Sequence, residues 1–187
     1  MTNPVLEAIS LRRSIRGYAP EQIAPEQRDA LIRAALESPS GMDRQPWHFS
    51  VAQNAALLDA MNSAAHGQVA KDPALLAATR FSDPDFHVFY NAPTVIFISL
   101  DRSAPAGQLV DAGIAAENIA LAAWSMGLGS VILGLPREAF HSEKGDEFRK
   151  ALHFPDNYDF AIAVAVGKGT VTKDAHEFKP GRVSIIE

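Results

Sequence analysis

Between residues 25 and 51 the spacing of apolar positions changes period, and the change marks the first elements of the fold. After Pro25, Leu31, Ile32, Ala35 and Leu36 line one broad helical stripe, and Pro39 stops the helix. Trp47, Phe49 and Val51 then alternate with polar residues, as a strand with one buried face does. The stretch SPSGMDRQPWHF, Ser38 to Phe49, therefore joins a helix end to a strand start. Upstream, Asn3 and Pro4 read as the N-cap and first residue of a short helix that ends near Arg12, Arg13 and Arg16.

Asn54 is placed to cap a helix carrying Leu57, Leu58 and Met61. A polar, glycine-containing segment from His66 to Lys71 follows, and Asp72-Pro73 restarts helix. The segment from Phe81 to Asn91 fits neither period. Thr94 to Leu100, TVIFISL, is a short β-branched run of the kind that forms a strand buried on both faces. Gly107 to Met126 is the longest helical pattern, apolar nearly all round, with Gly127 as its expected cap. Such a helix belongs at the centre of a core or of a dimer. SVILGL is a strand candidate, Pro136 opens a polar helical stretch to Leu152, and FAIAVAVG is a further buried strand. After Gly169 the tail is polar and extended, ending in the apolar VSII. Strands interrupted by long helices, without regular βαβ alternation, predict an α+β fold in a single domain over residues 1–187.

Composition narrows the function classes. Apolar residues make up 47% of the chain and charged residues 21%, which fits a globular protein and argues against disorder. With 17 Lys and Arg against 22 Asp and Glu, no broad basic face is available for a phosphodiester backbone, so no nucleic acid is expected as partner. The absence of cysteine excludes disulfides, thiolate nucleophiles and cysteine-held metal centres. The N-terminus shows no signal-peptide pattern, and Gly127 and Gly129 interrupt the uncharged run from Ile119 to Leu135. No membrane association is expected, and a cytoplasmic location is.

Most familiar catalytic patterns fail. GLGSVILG has its glycines after a helix and before a strand, the reverse of a dinucleotide-binding turn. GKGT at Gly167 to Thr170 lacks the upstream glycine of a P-loop and reads as a strand-ending turn. The six histidines show no metal-ligand spacing, and no serine sits in a Gly-x-Ser-x-Gly elbow. What remains is positive charge gathered at two places in an acidic protein: Arg12, Arg13, Ser14 and Arg16 near the start, Lys179, Gly181 and Arg182 near the end. Cations with a hydroxyl and flexible backbone are what a phosphate monoester requires, and equally what a solvated surface presents.

The order of four segments carries further information. RRSIRGY, then SPSGMDRQPWHF at a helix end, then DAGIAAENIALAAWSMGLGSVILG, then KPGR near the C-terminus together resemble the FMN-dependent nitroreductase family over nearly the whole chain. The resemblance implies a mixed, mainly antiparallel central sheet flanked by helices, in an intertwined homodimer with FMN at the subunit interface. Arg12, Arg13, Ser14 and Arg16 match the family's first flavin segment: Arg12 and Ser14 would hold the phosphate and ribityl end, Arg16 the pyrimidine edge. Lys179 and Arg182 match the C-terminal phosphate-binding pair, either being the contact. Pro39, Ser40, Gly41, Asp43 and Gln45 would reach the flavin of the other subunit. Many relatives have asparagine at position 43, and a carboxylate cannot donate the amide hydrogen bond. Gln68 and Lys71 reproduce an amide-then-lysine spacing that contacts the pyrimidine ring in some relatives, and Ile132, Leu133 and Gly134 match the segment along one flavin face.

The implied chemistry is ping-pong hydride transfer: NADH or NADPH reduces flavin N5, leaves, and a nitroaromatic, quinone or related small acceptor takes its place. No side-chain nucleophile is needed, which agrees with the failure of the catalytic patterns. A positive group near N1 and O2, for which Arg16 or Lys71 is the candidate, would stabilise the anionic reduced flavin. Two other readings stay open: a flavin-binding carrier or sensor without turnover, and a specialised relative acting on a dedicated substrate.

Overall fold

The computed structural model describes residues 3–104 and 108–187. Helix α1 (Pro4–Leu11) begins where Asn3 Oδ1 accepts the N–H groups of Val5 and Leu6, and it ends at Arg12. Helix α2 (Pro25–Leu36) has Gln27 reaching back to the Ala24 N–H at 3.1 Å, and it stops ahead of Pro39. Its stripe divides: Leu31 and Ala35 are fully buried while Leu36 is 56% exposed. Strand β1 (Trp47–Ala52) follows, then α3 (Ala55–Val69) capped by Asn54, and α4 (Pro73–Ala78) capped by Asp72. Helix α3 runs through the segment expected to be a polar loop after His66. Ala65 and Val69 are fully buried there, and His66 Nε2 bonds the Phe86 carbonyl at 2.7 Å, so tertiary packing carries the helix onward.

Strand β2 (Thr94–Asp101) leads to α5 (Gln108–Ser125), β3 (Gly129–Leu133), α6 (Arg137–His141), α7 (Gly145–Ala151) and β4 (Tyr158–Gly167). The start expected for α5 at Gly107 lies outside the described residues. The stretch after Pro136 forms two short helices where a continuous one was expected. At the break, a Cβ on Gly145 would collide with the Phe140 carbonyl, so the chain folds back too closely for any other residue.

The sheet has the order β1-β2-β4-β3 with every named pair antiparallel; Val51 opposes Ile96, Ile98 opposes Ile162, and Val131 opposes Ala165. Both faces are covered, which is why β2 reads as an unbroken apolar run. Val95 and Phe97 face a cluster with α3, α6 and the buried aromatics Phe89 and Phe140. Ile96 and Ile98 face α2 and the alanine-rich side of α5. The segment from Phe81 to Asn91 contributes Phe81, from a single 3-10 turn over Arg80–Ser82, and Phe86 and Phe89, from the turns that follow, to the first cluster.

The chain after α1 adds an edge to this sheet. Ser14 bridges Ser130 in parallel, the Ile15 N–H bonds the Ser130 carbonyl at 2.9 Å, and Tyr18 bridges Gly169 antiparallel. This isolated bridge is the one parallel pairing among the described residues, beside a four-stranded sheet that is antiparallel throughout; the resemblance implied a mixed, mainly antiparallel sheet. Ile15 is wedged between two glycines: a Cβ on Gly129 would come within 3.0 Å of it and one on Gly169 within 3.1 Å. At the other end of the chain, residues 170–187 form no helix or strand, and Phe178 and Ile186 are 92% and 94% exposed.

Candidate flavin site

The wedge at Ile15 sets out the basic segment along β3. Arg12 and Arg13 line a cavity of about 360 Å³ with Trp124, Ser130 and Lys173. Arg12 Nε donates to Glu117 Oε1 on α5 at 3.0 Å. That bond leaves the two terminal nitrogens of the guanidinium without a partner among the described residues. Arg13 Nη1 donates to the backbone carbonyls of Ser10 and Arg12 at 2.7 and 2.8 Å. The cavity thus gathers three cations, with Glu117 the one carboxylate bonded to any of them, and Ser14 lies half-buried on the same segment. This donor set fits the phosphate end of FMN, since a phosphate monoester needs charged N–H groups with unfilled hydrogen bonds.

Arg16 opens on a second cavity, of about 280 Å³, with Tyr18, Arg80, His87, Tyr90 and Thr170. Its guanidinium carbon lies 5.8 Å from the centre of the Tyr90 ring. Tyr18 donates its hydroxyl to the Ile15 carbonyl at 2.7 Å, and burial pushes its pKa up, so it remains a donor at neutral pH. Burial pushes the His87 imidazole down, against the opposing pull of a hydrogen bond to Asp59.

Gln68 and Lys71 do not join either group. They line a third cavity, of about 540 Å³, between α3 and residues 142–144, where Lys71 Nζ meets Glu143 Oε1 at 3.4 Å. Ile132 faces α5 and Leu133 is buried on the opposite face, with the Gly134 carbonyl accepting from Arg137 Nε at 3.2 Å. Lys179 and Arg182 stand in the exposed tail on either side of Gly181, with no ion pair among the described residues.

The loop from Pro39 to Gln45 is also held apart. Ser40 Oγ accepts the Gln45 N–H at 2.9 Å, Asp111 on α5 accepts the Gly41 N–H at 3.2 Å, and Asp43 accepts from Gln45 Nε2 at 2.9 Å. Met42, Asp43 and Gln45 all have left-handed φ, at 56°, 52° and 47°. Three such non-glycine residues in four positions hold a strained shape, a feature that clusters at ligand clamps. Within one chain, then, the structure brings Arg12, Arg13 and Ser14 together, places Arg16 in the adjoining cavity, and leaves the other expected residues apart. Glu117, which pairs with Arg12, and Lys173, Arg80 and Tyr90, which line the two cavities, were not singled out from the sequence. The first two have no motif to mark them; Arg80 immediately precedes, and Tyr90 lies within, the segment whose spacing fits neither period.

Among the described residues no group of three or more His, Cys, Asp or Glu could hold a metal ion, and no helix is long and apolar enough to cross a membrane. A family model described as Nitroreductase family matches residues 9–168. A relative from Archaeoglobus fulgidus, provisionally named an NADH dehydrogenase/NAD(P)H nitroreductase, is 33% identical over 184 residues, covering 95% of each chain. Among solved structures, a nitroreductase with bound FMN from Desulfitobacterium hafniense superposes with a TM-score of 0.94 at 32% identity, covering 100% of each chain. One from Bacteroides fragilis, also with bound FMN, gives 0.89 at 29% identity and the same coverage. The matched span takes in the basic segment, the 39–45 loop and β3, and stops before the tail. The chain belongs to the nitroreductase family.

Proposed function

We propose that this chain is an FMN-dependent NAD(P)H oxidoreductase that reduces a nitroaromatic, a quinone or a related small acceptor, and that it works as a homodimer. The observation that carries the reading is the cavity beside β3, where Arg12, Arg13 and Lys173 converge with one carboxylate to offset them. Bound there, FMN would supply the hydride chemistry between NADH or NADPH and the acceptor. Arg12 and Ser14 hold its phosphate and ribityl end, with Lys179 or Arg182 brought to the phosphate from a tail. Arg16 would place positive charge at the pyrimidine edge, favouring the reduced flavin's negative charge. Ile132, Leu133 and Gly134 form the stretch of β3 and its end that would pass along one flavin face.

Several surfaces support the homodimer. Helix α1 exposes Val5 and Leu6, each at 63%, and Ile9 at 52%, while α5 exposes Leu109 at 71%. The tail adds Val183, Ile185 and Ile186, exposed at 82%, 83% and 94%. Large apolar side chains exposed on the adjacent helices α1 and α5, and more in the tail, are the kind of surface a partner normally covers. A second copy covers it and also delivers Pro39, Ser40, Gly41, Asp43 and Gln45 to the flavin, which accounts for a loop held in a strained shape with nothing of its own chain to line.

The test is anaerobic stopped-flow mixing of the FMN-loaded protein with NADH and with NADPH, followed by a quinone. Rapid bleaching and reoxidation of the flavin are expected. A protein that stays colourless after incubation with excess FMN refutes the proposal, and one that binds FMN without bleaching is a carrier or sensor.

A further inference from the structure

We propose that Arg80 is the second cation at the pyrimidine end of the flavin site, in the role that the family resemblance gives to Lys71. The inference rests on the FMN reading above and adds a residue to it.

The geometry around Tyr90 points there. The Arg80 guanidinium carbon lies 5.0 Å from the centre of the Phe86 ring and 5.6 Å from that of Tyr90. The two rings meet edge to face at 5.5 Å, and Phe86 is itself packed against Phe81 at 5.2 Å. Arg16 reaches the same Tyr90 ring, so two guanidiniums share one aromatic face or its two sides. Tyr90 and the next residue, Asn91, both sit at left-handed φ, 54° and 56°, a conformation that L residues adopt at an energetic cost. The backbone is thus held where it presents this ring to both cations.

Neither cation is well neutralised. Arg80 meets Asp83 only at 3.9 Å, with both side chains about half exposed. Arg16 has no carboxylate partner among the described residues and makes one long bond, 3.4 Å, to the Ser14 carbonyl. Asp85 is the one carboxylate that lines the cavity, and its own side chain makes no ion pair among the described residues. Aromatic faces grip a guanidinium flat and leave its N–H edge free, which is the edge that binds an anion. Negative charge delivered beside Arg16 therefore meets Arg80 as well. Lys71, by contrast, points into a cavity that shares no lining residue with this one and spends its charge on Glu143.

The experiment compares FMN-loaded protein with its Arg80→Met, Arg80→Lys and Lys71→Met variants, reading two properties apart from turnover. One is the FMN dissociation constant. The other is the affinity for sulfite, whose sulfur lone pair forms a bond to flavin N5 while an electron pair moves onto N1 and O2. Arg80→Met is expected to weaken sulfite binding about tenfold or more, the scale of one charge-assisted hydrogen bond. Arg80→Lys keeps much of it, and Lys71→Met changes it by no more than about twofold, as for an exposed pair. A loss in Lys71→Met with none in Arg80→Met overturns the inference, and so does no loss in either. Should Arg80→Met fail to fold, Arg80→Gln is read on the same scale. A parent protein that binds no FMN overturns the function proposed above and this inference with it, whereas normal FMN binding with unchanged sulfite affinity overturns this inference alone.

Discussion

The sharpest link between fold and site is the glycine socket around Ile15, and Gly129→Ala tests it. The new Cβ would stand 3.0 Å from Ile15 Cβ and Cγ2 and 3.1 Å from Cγ1. Carbon atoms rest at about 3.5–4.0 Å, so Ile15 must retreat by roughly half an ångström to one. It cannot slide sideways, because a Cβ's width away on the other flank is Gly169, and its N–H is tied to the Ser130 carbonyl at 2.9 Å. The remaining route is to lift the whole segment off β3, taking Arg12, Ser14 and Arg16 with it. Overpacking of this kind costs about 1–3 kcal/mol. At about 2–4 °C per kcal/mol for a chain of this size, the melting temperature falls by about 2–12 °C.

The same displacement moves the phosphate donors, and a loss of about 1.4 kcal/mol there is a tenfold loss of FMN affinity. Thermal melts by circular dichroism read the first effect. Fluorescence titrations with FMN and with riboflavin read the second, since riboflavin lacks the phosphate and should lose less. Ile15→Ala in the same chain removes two of the three clashing atoms and should recover part of the FMN affinity. A variant with a lowered melting temperature and unchanged FMN affinity would show that the basic segment does not hold the flavin. One unchanged in both would show that the socket is not tight.

Asp43→Asn replaces a carboxylate with an amide able to donate, and is expected to tighten FMN binding or speed flavin reduction by about two- to tenfold; no change in either removes Asp43 from the site. A chain ending at Thr170 loses the exposed Phe178, Val183, Ile185 and Ile186 along with Lys179 and Arg182. Light scattering should then find less dimer and titration weaker FMN binding, while an intact dimer of undiminished affinity contradicts the assignment of the tail. Burial, reinforced by His153, pushes His48 below the ordinary histidine value of 6.5, and burial does the same to His87. The unfolded chain therefore binds more protons near that pH. Stability is full above about pH 7 and falls as the pH drops through 6.5 toward the depressed folded values. Urea unfolding from pH 8 to 5 should show this slope, and His48→Gln should flatten it; an equal slope in the variant would place the linkage elsewhere.

What could be read from the sequence was what neighbouring residues decide among themselves. Asn3, Asn54 and Asp72 cap helices through bonds spanning two or three residues, so their signals needed no knowledge of the fold. The unbroken apolar run of β2 announced two covered faces for the same reason. The break between α6 and α7 was not legible, because it comes from the approach of Gly145 to the Phe140 carbonyl, a contact the helical pattern does not encode. Nor was the end of α3, where a polar stretch stays helical because Phe86 offers His66 its carbonyl from another segment.

The site divides along the same line. RRSIR and the 39–45 loop were visible as motifs, yet their grouping depends on which cavity each side chain enters, and Lys71 and Arg16 enter different ones. The glycines show the point most clearly. GLGSVILG was rejected as a dinucleotide-binding turn because its glycines follow a helix and precede a strand, and GKGT as a P-loop because it lacks the upstream glycine. Their glycines are required for another purpose: Gly129 from the first and Gly169 from the second leave the space that Ile15 fills. Removal of two side chains lets a basic segment lie flush against the sheet, and that contact sets where Arg12, Ser14 and Arg16 stand. A glycine motif that fails as a ligand loop can still govern ligand binding one contact removed, by deciding how closely the segment carrying the charge may approach.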